Sequence, residues 1–383
     1  MRIGVVLALT GALCGACTTA PRPRAVTGTR AVAQPAPARQ GEEFRVVGAG
    51  PATEGDAYDA GLLFERAVTA IRAGDCDAAL ATLDRILREF PNTRWDHPAQ
   101  YNRGVCHQRA ARWPEAAEAY RAATGDPRDA SLVRDAWFRL AVVGELGAQP
   151  QWVLDATAAL EARPGLSFTD RVEVLTRRAA ARLQQGDLGA ADADAAQAIA
   201  LAPTPEAVRA LDDDTHAAQA RVVAAEVTRA RAAAVVWAAD APDAEARIAE
   251  RAQLTGRAHA QYNEAIRAGN PHWAAAAGFR IGELYRDLYV AIVDATPPAE
   301  WDAGARAAYR RRAGERLRPL LQGALRSWEA TLSMARRNGI ADNAWVRRAD
   351  EAVAQLRALI LEAGEAPPAA RSGTVPQGRE TRP

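Results

Sequence analysis

Small and large apolar positions alternate along residues 57–205 in a pattern that repeats about every 34 residues. The clearest instance runs Tyr101-Asn102-Arg103-Gly104, then Ala116, Tyr120, Ala123 and Pro127. Gly104, Ala116 and Ala123 are small enough to let two helices touch. Tyr120 is the large residue beside them, and proline closes the unit. The same grid places Leu63 and Ala67 on one helix, Gly74-Asp75 in a turn, Ala79 and Leu83 on a second helix, and Pro91 at the end. It fits again at Ala179, Gly186-Asp187, Ala191, Ala198 and Pro203. Trp137, Leu140, Ala141 and Pro164 mark a degenerate copy whose turn carries Pro150.

Beyond residue 205 the period fades while the helical pattern persists. Alanine- and arginine-rich stretches predict a long helix over 206–240, broken near Asp212-Asp213-Asp214, and a return helix over 243–268. Residues 272–294 carry Trp273, Phe279, Ile281, Gly282, Leu284, Tyr285 and Leu288, as in a divergent first helix of another unit. Its second helix is expected over 306–337, with Trp328 buried and Pro319 marking a kink or break. A last helix over 343–362 presents Trp345, Val353, Leu356 and Leu359 and would cap the stack. Proline, alanine and glycine without periodicity mark a disordered tether at 17–56 and a disordered tail at 366–383.

In its small, large and closing positions, the 57–205 region resembles a tetratricopeptide repeat protein. The resemblance implies an all-α fold, a superhelix of stacked helical hairpins, with residues 206–365 forming divergent hairpins and a capping helix. It also implies an inner groove lined by the first helix of each repeat. The matching positions here are Tyr101, Asn102, Arg109, Phe138, Arg139 and Arg177. Arginines beside an asparagine suit an acidic side chain or a C-terminal carboxylate, through charge-assisted hydrogen bonds.

Composition agrees with helix throughout, since alanine, leucine, arginine and glutamate dominate. There is no lysine, so all 48 basic residues are arginine, against 47 acids, for a formal net charge of +1. Such a balance offers no concentrated basic face and argues against nucleic acid as a partner.

Arg2, the apolar run from Ile3 to Leu13 and the small residues up to Cys17 read as a signal peptide over 1–16. Leu13-Cys14-Gly15-Ala16-Cys17 resembles a bacterial lipobox, with leucine four places before Cys17 where the usual spacing is three. The resemblance implies lipidation of Cys17 and, with Thr18 rather than aspartate following, an anchor on the periplasmic face of the outer membrane. Ordinary secretory cleavage before Cys17 also fits the small residues at 14 and 16.

The five histidines never fall in zincin spacing, and no Gly-x-Ser-x-Gly elbow is present. Asp212-Asp213-Asp214 beside His216 reads as a helix break rather than a metal site, because adjacent carboxylates on a helix point apart. No catalytic residue, metal, cofactor or small-molecule substrate is implied.

The expected function is therefore a membrane-anchored periplasmic scaffold for envelope proteins, in outer-membrane assembly, secretion or pilus biogenesis, or motility. The alternative is a peptidoglycan- or glycan-binding lipoprotein that uses its nine tryptophans as stacking rings. An enzyme is the third reading. After removal of the leader and acylation of Cys17, Cys76 and Cys106 are the two cysteines left, and the repeat grid brings them onto touching antiparallel helices. An oxidising compartment would join them as a disulfide; the alternative is two separately buried free cysteines acting as small apolar fillers.

Overall fold

The computed structural model describes residues 58–125, 129–211, 213–238 and 241–365, with side chains placed from 60 to 357 within those ranges. The signal peptide, Cys17, the tether, the tail, Pro127 and Asp212 lie outside the described residues, as does the side chain of Leu359.

Four helical hairpins come first. They are α1 (Tyr58–Arg72) with α2 (Cys76–Glu89), α3 (Asp96–Arg109) with α4 (Trp113–Ala123), α5 (Ala130–Leu146) with α6 (Pro150–Glu161), and α7 (Phe168–Gln184) with α8 (Leu188–Leu201). The degenerate copy is thus a full hairpin, and Pro150 sits at the first position of α6. An N–H is dispensable there. The chain then forms a short α9 (Pro205–Arg209), α10 (Thr215–Ala234), α11 (Ala244–Ala268), α12 (Pro271–Val293), α13 (Ala303–Asn338) and α14 (Ala344–Glu365). Among the described residues there is no strand, only an isolated bridge between Ala238 and Thr296. The fold is all-α, consistent with a helical-repeat superhelix.

Within each of the four hairpins the turn is the same object. Gly74, Ala111, Ala148 and Gly186 occupy it with positive φ of 85°, 54°, 51° and 80°. Each turn closes with the same pair of bonds, as in Gly74 N–H to the Ile71 carbonyl and Asp75 N–H to the Ala70 carbonyl, or Ala148 N–H to Glu145 and Gln149 N–H to Gly144. This is the Schellman arrangement, which satisfies the orphan carbonyls of the first helix. In the outer two hairpins an aspartate follows, and Asp75 and Asp187 accept from the N–H groups of Ala78 and Ala190. In the middle two, Arg112 and Gln149 stand there without a side-chain cap. The left-handed residues are about 37 positions apart rather than 34. The excess lies between hairpins, at residues 90–95, 124–129 and 162–167.

In the second half, the stretch 206–240 breaks near the triple aspartate as expected, into α9 and α10, and α10 ends at Ala234. Thr215 N–H is held by Asp213, while Asp214 accepts from Asn270. Pro319 does not break α13, which continues through it for 36 residues. Leu317 and Leu320, on either side, are fully buried, so packing outweighs the lost backbone bond.

Most helices pack chiefly on their neighbours in sequence, but the short α9 rests on α11, and α10 lies across both α7 and α8. One hydrophobic core is built from Phe64, Ile71, Leu83, Tyr120 and Leu140 in the first three hairpins. A second surrounds Tyr262, Tyr285, Leu317 and Trp328. Between them, Ala179 and Ala195 pack on Val223 and Ala224 of α10. No helix among the described residues is long and apolar enough to cross a membrane.

Candidate functional site

The six groove positions do not share one environment. Tyr101 and Asn102 on α3 are buried, at 1 % and 0 % exposure, and the Tyr101 ring meets Tyr120 edge-on at 5.5 Å. Tyr120 in turn donates its hydroxyl to Gln108 at 2.7 Å. Phe138 and Arg139 on α5 are half-buried. Arg109 is exposed, and its guanidinium donates to the Ile71 carbonyl at 2.7 Å, which ties the end of α3 to the end of α1.

Arg177 is different again. It is 3 % exposed and spans two carboxylates, Glu145 of α5 at 2.5 Å and Glu173 one turn earlier on α7 at 2.7 Å. His216, at the start of α10, brings its Nε2 within 3.4 Å of Glu173. Burial would by itself raise the Glu173 carboxyl, but His216 and Arg177 beside it hold it well below the usual carboxylate range. Burial likewise opposes the charge on Arg177, and Glu145 and Glu173 more than offset it, raising its pKa. A cavity of about 100 Å³ lined by Thr169, Val172, Glu173, Leu211, Asp213, His216 and Ala217 adjoins this cluster.

Arg177 therefore ties the third hairpin to the fourth, with Nε and one Nη committed to protein carboxylates, and Glu173 carries the link on to His216 of α10. Glu173 and Arg177 are spaced i,i+4 on one helix, a pairing visible in the sequence. The two partners from other helices, Glu145 and His216, carry no local signal.

A second network holds α7 to α8. Asp194 is 2 % exposed and takes two bonds from Arg178, at 2.9 and 3.0 Å, and one from Arg182 at 2.6 Å. The tryptophans also have structural uses. Three of the nine are buried and six half-buried. Trp95, Trp152, Trp237 and Trp345 carry arginines over their rings, Arg94 at 4.4 Å and Arg348 at 4.8 Å being the closest. Cys76, the first residue of α2, and Cys106 of α3 are free thiols beside each other, Cys76 packing against the core that contains Cys106. Among the described residues no group of three or more His, Cys, Asp or Glu side chains stands close enough to hold a metal ion.

Residues 62–93, covering most of α1 and all of α2, match the tetratricopeptide repeat family model. No curated protein matches the chain. The first hairpin therefore carries a tetratricopeptide repeat, and its turn geometry is shared by the three hairpins that follow it. Repeats of this kind generally mediate protein–protein interactions, and all-helical arrays of them are typically non-catalytic scaffolds.

Proposed function

We propose that the chain is a membrane-anchored periplasmic scaffold that holds proteins of an envelope complex along its stacked hairpins. The observation that carries the scaffold reading is the fourfold recurrence of one hairpin turn, at 74, 111, 148 and 186, next to a tetratricopeptide match. Helices that pack mainly on chain neighbours give an elongated surface rather than an enclosed cleft. The anchor reading rests on the lipobox resemblance at Cys17.

In this reading the partner-binding face centres on the half-buried Phe138 and Arg139 of α5, with the exposed Arg109 at its edge.

Recovery of crosslinked envelope proteins on the tagged, lipidated chain tests the scaffold. Arg139→Ala and Phe138→Ala should lower recovery of a protein partner without loss of helicity. Retention on peptidoglycan, with no protein recovered, would overturn this reading.

A further inference from the structure

Cys76 and Cys106 differ in access although they touch. Cys76 opens α2 directly after the Gly74-Asp75 turn and is half-buried, with its N–H bonded to the Gly74 carbonyl at 3.1 Å. Cys106 is 0 % exposed in the core of the first three hairpins, between Val105 and His107 on α3. The contact joins the second helix of the first hairpin to the first helix of the next. We propose that this pair is a dithiol modification site, in which Cys76 accepts an external disulfide and Cys106 then resolves it into a bond that staples the first two hairpins together.

The exchange needs an oxidant, and a disulfide of a small thiol or of an oxidoreductase supplies it. The Cys76 thiolate attacks one sulfur of that disulfide, forming a mixed disulfide and releasing one thiolate. The Cys106 thiolate then attacks the Cys76 sulfur, forming the internal bond and releasing the second thiolate. The protein gives up two protons and two electrons, and the external disulfide becomes two thiols.

The order of attack follows from the fold. An external disulfide reaches the half-buried sulfur at the helix start, whereas Cys106, with 0 % exposure, is closed to solvent. Burial, and then the hydrogen bond with Cys76, push the Cys106 thiol up, while the nearby charges of Arg109 and Arg112 favour its thiolate. Resolution should thus be slower than the first exchange and should accelerate at alkaline pH. The bond would close a loop of about thirty residues and restrict the unfolded chain accordingly.

Trypsin separates the two sulfurs cleanly. Cleavage after Arg72, Arg85, Arg103 and Arg109 leaves Cys76 in fragment 73–85 and Cys106 in fragment 104–109, away from Cys14 and Cys17. The folded full chain is exposed to oxidised glutathione, quenched in acid and digested for mass spectrometry. The expected result is a linked 73–85/104–109 pair and a higher Tm than the reduced chain. Cys106→Ala, or Cys106→Val should the cavity left by alanine unfold it, should accumulate glutathione on 73–85. Cys76→Ser should leave 104–109 unmodified until the protein is unfolded. Absence of the linked pair from the wild-type chain would overturn the proposal. So would modification of Cys106 in folded Cys76→Ser as fast as Cys76 is modified in the wild type.

Discussion

The indole of Trp328 lies against the bare Cα of Gly282, so close that a Cβ at 282 would stand 2.0 Å from the ring nitrogen. That nitrogen donates to the Phe279 carbonyl at 3.0 Å, three residues earlier on the same helix. With Trp328 only 1 % exposed, the ring cannot swing aside. The sequence pattern assigned Gly282 to a divergent first helix and Trp328 to the helix after it, and the structure makes them the contact point of α12 and α13.

Gly282→Ala should therefore cost about 3 kcal/mol, at the upper end for overpacking, despite the better helix propensity of alanine. Gly104→Ala should behave alike, since its Cβ would meet the Tyr120 ring at 2.6 Å. Gly189, whose nearest neighbour would be 3.8 Å away, is the control and should gain about 0.5 kcal/mol as alanine. Urea melts of the three variants check this. Equal effects at all three sites would contradict the close-approach account.

The middle hairpin turns invite stabilisation. Ala111 and Ala148 hold the left-handed conformation that Gly74 and Gly186 hold in the outer hairpins. Replacing either with glycine should relieve about 1 kcal/mol of backbone strain, less the entropy glycine adds to the unfolded chain. Arg112→Asp restores the aspartate cap of the outer turns and should add about 1 kcal/mol. The double variant Ala111→Gly with Arg112→Asp should raise Tm more than either change alone, as differential scanning calorimetry would show.

Arg177→Met should destabilise the chain by about 3 kcal/mol, because it leaves Glu145 and Glu173 facing each other without their shared cation. The same cluster sets a pH dependence. The Glu173 carboxyl titrates lower in the folded chain than in the unfolded one, so its contribution is present above the unfolded value of about 4.3 and is lost as pH falls below it. Glu145, Arg177, His216 and Asp213 are the other ionisable groups gathered there. Tm of the wild type should fall faster from pH 5 to pH 3 than Tm of Glu173→Gln. Parallel slopes would show that this carboxylate is not the titrating group.

Cys17→Ala tests the anchor. The variant should leave the membrane pellet and appear in the soluble periplasmic fraction, without the mass of an acyl chain. Persistence in the pellet would remove the lipid anchor from the proposed function.

The hairpins were legible because their signals are local. Gly104 and Tyr120 are 16 residues apart and meet within one unit, so the sizes of neighbouring positions state the contact. The glycine-aspartate turns at 74–75 and 186–187 announce a left-handed residue and a cap in adjacent letters. Ala111 and Ala148 adopt the same turn with no such letters, because the packing of the hairpin outweighs a strain of about 1 kcal/mol.

Position in a repeat also proved a poor guide to which charges face outward. Only the family resemblance placed Arg177 on a helix lining a groove, whereas its partner Glu145 lies 32 residues before it and His216, which faces Glu173, 39 residues after it. Chain sequence determined the helices, the small-to-large contacts within hairpins and the neighbourhood of Cys76 and Cys106. Tertiary structure alone decided that α10 crosses the fourth hairpin, that Arg177 pairs with two carboxylates and that Cys106 is buried while Cys76 is only half-buried. The reason is physical: helix propensity and side-chain size act over one or two turns, whereas desolvation and ion pairing depend on which distant segments close over a group.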